Sequence, residues 1–107
     1  PMQSRLQIIP SVLSGQGTTV RLLIRHPMET GFRFDINGTP IPKNVIHTLA
    51  AQLNGVQIFK ATLDSGISAD PFFQFEIKAS QEGKLILQWT DDLGRKGEAI
   101  AEIKMQN

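Results

Sequence analysis

Apolar and polar residues alternate over short runs along this chain, and Gly, Pro, Asn or Asp interrupts them about every ten positions. Thr18-Thr19-Val20-Arg21-Leu22-Leu23-Ile24-Arg25 is β-branched and mostly apolar, which suits a pleated, half-buried strand. Arg5 to Ile9 predicts a strand before it, stopped at Pro10, with Gly15-Gln16-Gly17 turning the chain between the two. Further on, Phe73, Phe75, Ile77 and Ala79 share one face while Gln74, Glu76 and Lys78 share the other, and Glu82-Gly83 ends the run. Leu85, Leu87 and Trp89 repeat the pattern, and Asp91-Asp92-Leu93-Gly94 turns into a final strand through Ile103. The core expected from this alternation is built on Phe73, Phe75, Leu85, Leu87 and Trp89.

Two stretches do not follow the period of two so simply. In Asn44 to Leu53, the residues Val45, Ile46, Leu49 and Leu53 also fit one face of a helix with Asn44 as N-cap. The residues themselves leave the two readings balanced. Asn54-Gly55, followed at once by Val56-Gln57-Ile58-Phe59, favours a strand ending in a tight hairpin turn. The other stretch is 26–43. Pro27 removes a ladder donor and restricts His26, so the strand before it ends there. Phe32, Phe34 and Ile36 then alternate with Arg33 and Asp35, Asn37-Gly38 reverses the chain, and Pro40 and Pro42 forbid a regular returning strand. These residues read as a long, partly ordered excursion between two core strands. His26-Pro27-Met28-Glu29-Thr30-Gly31 at its start is expected to be an exposed contact surface on a rigid scaffold. The whole predicts an all-β, immunoglobulin-like antiparallel β-sandwich of about seven strands. It forms one domain over residues 1–107, with residues 1–4 loosely ordered.

Composition narrows what such a sandwich can do. At 107 residues and 40% hydrophobic content, the chain can bury roughly two-thirds of its unfolded surface and fold without staples. It has no cysteine, which excludes thiolate metal sites, cysteine nucleophiles and any cysteine-borne intermediate on this chain. The 11 Lys+Arg and 10 Asp+Glu nearly balance. Only Arg21 with Arg25 hints at a basic strand face, so nucleic acid is not an expected partner. No apolar run approaches the roughly 20 residues of a membrane-spanning helix.

Candidate chemistry is sparse. Ser68 and Asp70 in Gly66-Ile67-Ser68-Ala69-Asp70, together with the histidines, resemble a hydrolase triad only superficially. The fifth position is not Gly and a strand, not a helix, follows Pro71. The ordinary reading is a turn in which both side chains bond local backbone. Asp91-Asp92 lacks the spacing of a calcium loop and reads as a hairpin turn. The Gly15-Gln16-Gly17 and Gly94-Arg95-Lys96-Gly97 pairs read as turns, since no helix follows to hold a phosphate. His26 and Met28, two residues apart, could both point at Cu(I) or Zn, with His47 or Met105 converging from elsewhere. A stand-alone periplasmic copper-binding sandwich is thus the alternative to a partner-binding module, against the plainer reading of a strand cap and an adaptable apolar contact.

The ordered series His26-Pro27-Met28-Glu29-Thr30-Gly31, Arg33, Asp35, Gly38, Ile41-Pro42, Asn54-Gly55, Phe59, Ile67-Ser68-Ala69, Pro71, Gln74-Phe75 and Trp89-Thr90-Asp91-Asp92-Leu93-Gly94 resembles the SoxZ family. That family supplies a subunit of the SoxYZ sulfur-carrier complex of bacterial thiosulfate oxidation. The resemblance runs from about residue 5 to 103 and implies an immunoglobulin-like sandwich with no cofactor and no catalytic residue. It implies a heterodimer with a SoxY-like protein, which carries sulfur intermediates on a cysteine near the tip of its C-terminal arm. It implies contact with other Sox enzymes through that complex, and export to the periplasm with the signal-bearing partner. Self-association of the isolated chain is left open. The expected partner-binding residues are His26, Met28, Glu29, Thr30, Gly31, Phe32, Arg33, Phe34, Ile67 and Ser68. Phe32 and Phe34 stand where the family is expected to be more polar, and aromatics exposed beside Met28 would mark a contact patch.

Overall fold

A computed structural model of the chain describes residues 3–10, 17–63, 67–78 and 82–104. Seven strands run in chain order: β1 (Ser4–Pro10), β2 (Thr18–Ile24), β3 (Ile46–Leu53), β4 (Val56–Thr62), β5 (Phe72–Ile77), β6 (Gly83–Asp91) and β7 (Lys96–Ile103). They form two antiparallel sheets, one in the order β1-β2-β5 and one in the order β4-β3-β6-β7. The fold is an immunoglobulin-like β-sandwich. The two-residue period works as expected in the central strands. Thr18, Val20, Leu22 and Ile24 of β2 all point inward and meet Leu49, Ala51 and Leu53 of β3 and Leu85, Leu87 and Trp89 of β6.

The stretch with two readings is a strand. Asn54 (φ 54°) and Gly55 (φ 83°) both adopt left-handed backbone, as the tight hairpin between β3 and β4 demands. Asn54 also clamps the start of β6. Its Nδ2 donates to the Glu82 carbonyl (2.8 Å), and its Oδ1 accepts from Lys84 N (3.0 Å).

Phe73 and Phe75 are half-buried rather than central, although both pack on the core. The reason is their strand: β5 lies at the edge of its sheet. There Phe75 stacks on Phe59 of β4, the edge of the other sheet, with ring centroids 4.9 Å apart and planes 2° from parallel. Gly97 of β7 faces Trp89 across the ladder, and a Cβ at Gly97 would overlap the indole. Residues Gly15, Gln16, Ala79 and Met105 lie outside the described residues.

Candidate functional site: the arm between β2 and β3

Residues 25–45 leave the sandwich after β2 and return to it at β3, without forming a strand of their own. The alternation of Phe32, Phe34 and Ile36 therefore has no sheet to join. These side chains stand 84%, 65% and 99% exposed. The arm is ordered by its own bonds. Glu29 N donates to the Asn44 carbonyl (2.8 Å) and Asn44 N donates back to that of Glu29 (2.9 Å), which closes the arm at its base. Farther out, Ile41 N donates to the Arg33 carbonyl and Asp35 N to that of Thr39, both at 2.9 Å. At the tip, Asp35 Oδ1 accepts from the backbone N of Asn37 and of Thr39, each at 2.9 Å. Gly38 takes the left-handed φ of 79° that completes the reversal.

Charge stiffens the arm's near side. Arg33 grips Glu29 with two of its three guanidinium nitrogens, Nε to Oε2 at 2.9 Å and Nη2 to Oε1 at 2.6 Å. This planar, two-point geometry suits a guanidinium and a carboxylate. The Arg33 hydrogen bonds hold the Glu29 carboxyl below its usual range, and Glu29 raises the Arg33 guanidinium. Thr30 Oγ1 accepts from Phe32 N at 3.4 Å, and Gly31 (φ 93°) passes tightly against Lys43.

His26 and Met28 are not on the surface. They are 2% and 4% exposed, which corrects the expectation that both belong to an exposed contact loop. The cause is a polar network that draws the arm's root inward. His26 Nε2–H donates to Asp91 Oδ2 at 3.1 Å, and Nδ1 accepts from Met28 N at 2.9 Å. Because Nδ1 accepts a backbone N–H, the ring proton sits on Nε2. Met28 adopts φ 50°, and its sulfur accepts from Ile46 N at 3.3 Å. Both imidazole nitrogens and the thioether are thus engaged within the fold. With Nε2 bonded to Asp91 and Nδ1 to Met28 N, His26 as folded offers no free nitrogen to a metal, so this pair is not arranged as an open copper or zinc site. Among the described residues no group of three or more His, Cys, Asp or Glu side chains could hold a metal.

Asp91 is the centre of that network and was not legible as such. It lies at the end of β6, is 1% exposed, and accepts from four donors. Besides His26, these are Arg95 Nε on Oδ2 (3.0 Å), and Leu93 N (3.1 Å) and Arg95 N (2.9 Å) on Oδ1. Burial pushes the Asp91 carboxyl up, but its hydrogen bonds, led by that from His26, outweigh it and the net direction is down. Asp92 and Asn44 tie the same hairpin to the foot of the arm. Val45 N donates to Asp92 Oδ2 (3.1 Å), and Leu93 N donates to Asn44 Oδ1 (3.3 Å). The Asp91-Asp92 pair is the hairpin turn anticipated, and it is also the socket of the arm.

The loop before β5 docks on the arm's root through the side chain and backbone of Asp70. His26 N donates to Asp70 Oδ1 (2.9 Å), and Asp70 N donates to the His26 carbonyl (2.8 Å). Asp70 therefore bonds distant rather than local backbone. Ser68 is exposed while the His26 ring points inward to Asp91, so Ser68, His26 and Asp70 are not placed as nucleophile and base. Ile67 and Ser68 stand exposed in that loop.

Fold and site together define a β-sandwich with a stiff, apolar-tipped arm seated on a buried polar socket. The chain belongs to the SoxZ family: the family described as sulphur oxidation protein SoxZ matches residues 7–102, which assigns it a role in sulfur oxidation. No curated protein matches the chain in sequence. Among solved structures it is similar to a superoxide reductase (neelaredoxin) from Ignicoccus hospitalis, at 21% identity and TM-score 0.66 over 98% of this chain and 82% of that one. It is similar to one from Archaeoglobus fulgidus, at 16% identity and TM-score 0.61 over 98% and 88%. A hypothetical protein from Pyrococcus horikoshii OT3 matches at 13% identity and TM-score 0.64, over 96% and 89%. At such identities the likeness is one of fold.

Proposed function

We propose that this chain is a non-catalytic subunit that pairs with a SoxY-like protein, whose C-terminal cysteine arm carries the sulfur intermediates, and that the pair works in the periplasm. The observation that carries this reading is the arm: three large apolar side chains, Phe32, Phe34 and Ile36, held in the open on a braced hairpin. Solvated apolar groups on a rigid mount are what a partner's pocket desolvates at low entropic cost. The lack of cysteine supports a division of labour in which the partner supplies the reactive sulfur. Contact residues are then Glu29, Thr30, Gly31, Phe32, Arg33 and Phe34, with Ile67 and Ser68 at the neighbouring loop, while His26 and Met28 set the arm from below. A stable pair would bury roughly 1,600 Å² in all.

The test is co-expression of the tagged chain with a SoxY-like protein. Wild type is expected to co-purify in equal proportion, and Phe32→Ser with Phe34→Ser to lose the partner while its melting temperature holds. Failure of the wild-type proteins to associate at micromolar concentration would sink the pairing. Retention of the partner by the double variant would move the contact away from the arm.

A further inference from the structure

The outer face of the β1-β2-β5 sheet carries a second surface that the arm does not include. Since Val20, Leu22 and Ile24 point into the core, the odd-numbered residues of β2 point outward. Cross-strand register places Arg5, Leu23 and Phe72 in one row and Gln7, Arg21 and Gln74 in the next. Arg25 N donates to the Gln3 carbonyl at 2.9 Å, adding a third row. Arg5 is therefore the diagonal neighbour of both Arg21 and Arg25, each roughly 7–8 Å away at Cα. Leu23 sits at the centre of this cross, with Phe72 on its other side, 58% exposed. Arg5, Leu23 and Arg25 share with Gln3 and Ser4 a shallow depression of about 290 Å³.

Three arginines so close repel one another, and the face does little to neutralise them. Arg21 Nε is turned to the neutral Gln74 Oε1 at 2.9 Å. Among the described residues no ion pair joins Arg5, Arg21 or Arg25 to a carboxylate, whereas Arg33 and Arg95 each have one. The acid on this face, Glu76, lies one row beyond Arg21, opposite Thr19. A small anion would find poor footing. Strand β2 is paired on both sides, so the sheet centre offers no free backbone N–H, and so shallow a depression leaves an anion open to water. Leu23 and Phe72 need an apolar counterpart, and planar guanidinium groups around an apolar centre are typical of protein contacts.

We infer that this face docks an acidic polypeptide segment, one that sets two or more carboxylates around an apolar side chain. It makes no use of the arm and does not depend on the pairing proposed above. The test is fluorescence anisotropy of a labelled peptide of alternating Glu and Leu, titrated with the full chain at about 0.01 M and about 0.15 M salt. Binding should be present at low salt and weaken at high salt. Arg5→Glu or Arg25→Glu should each weaken it by roughly tenfold, since an attraction becomes a repulsion. Phe72→Ser should weaken it with the charge intact, while Lys60→Glu on the other sheet should leave it unchanged, all at constant melting temperature. Absence of binding at low salt would overturn the proposal, as would equal binding by Arg5→Glu with Arg25→Glu or equal binding of a Lys-Leu peptide. Displacement by sulfate far beyond chloride at matched ionic strength would overturn it in favour of a small-anion site.

Discussion

Removing the Asp91 carboxylate should cost more than any surface change on this protein. In Asp91→Ala, four donors lose their acceptor: His26 Nε2, Arg95 Nε, and the backbone N of Leu93 and Arg95. The last three lie at the mouth of an exposed turn, where water can replace the carboxylate, so each bond lost costs about 0.5–1.5 kcal/mol or less. The His26 side chain is wholly buried, and its N–H has no other partner while Nδ1 accepts from Met28 N. Leaving that donor unsatisfied costs about 1–3 kcal/mol, and the polar cavity adds to it. The sum is about 3–5 kcal/mol, comparable to breaking a buried pair by removing one member. At about 4–8 °C per kcal/mol for a domain of this size, Tm should fall by roughly 12–40 °C. Trp89 is the single tryptophan and is buried, so its fluorescence against guanidinium reports the unfolding directly. Asp91→Ala unfolding within about 1 kcal/mol of wild type would refute the view that this carboxylate holds the fold together.

The direction of the Asp91 shift also sets a pH dependence. Its folded-state pKa lies below the ordinary aspartate value, so its contribution is fully present above that value and is lost as pH falls through the folded pKa. Denaturation midpoints at neutral pH and near pH 3 should therefore differ more for wild type than for Asp91→Asn, and equal differences would contradict the assignment. Met28→Ala should cost about 2–5 kcal/mol, as truncation of a buried side chain does, whereas Phe34→Ser at the arm tip should lie within about 0.5 kcal/mol of wild type. Thermal unfolding of the two variants side by side tests the inward and outward placements, and equal losses would refute them.

How much of this was legible depends on where each residue's partners sit. The strands around Val20-Leu22-Ile24 and Leu85-Leu87-Trp89 could be read because a two-residue period is a local signal. Asn54-Gly55 settled β3 for the same reason, since the turn's demand for positive φ is written in two adjacent residues. The arm's alternation, by contrast, was apolar without being buried. Pattern reports what a side chain prefers, and Pro40 and Pro42 deny Phe34 the strand that would have covered it. His26 read as a surface residue because the groups that bury it are remote, with Asp91 sixty-five positions away and Asp70 forty-four. No local motif announces such a meeting. The Asp91-to-Gly94 turn was visible as a turn, but its second task of seating the arm exists only in the folded chain.

The backbone pair between Glu29 and Asn44 has an architectural consequence. It brings the two ends of residues 30–43 to about the spacing of neighbouring strands, roughly 5 Å, so the insert joins the sandwich at a narrow, standard gate. A hairpin of another length or composition could be spliced at that gate without shifting the register of β2 or β3. Under the pairing proposed above, exchanging residues 30–43 among family members would then measure how far the arm alone sets the choice of partner.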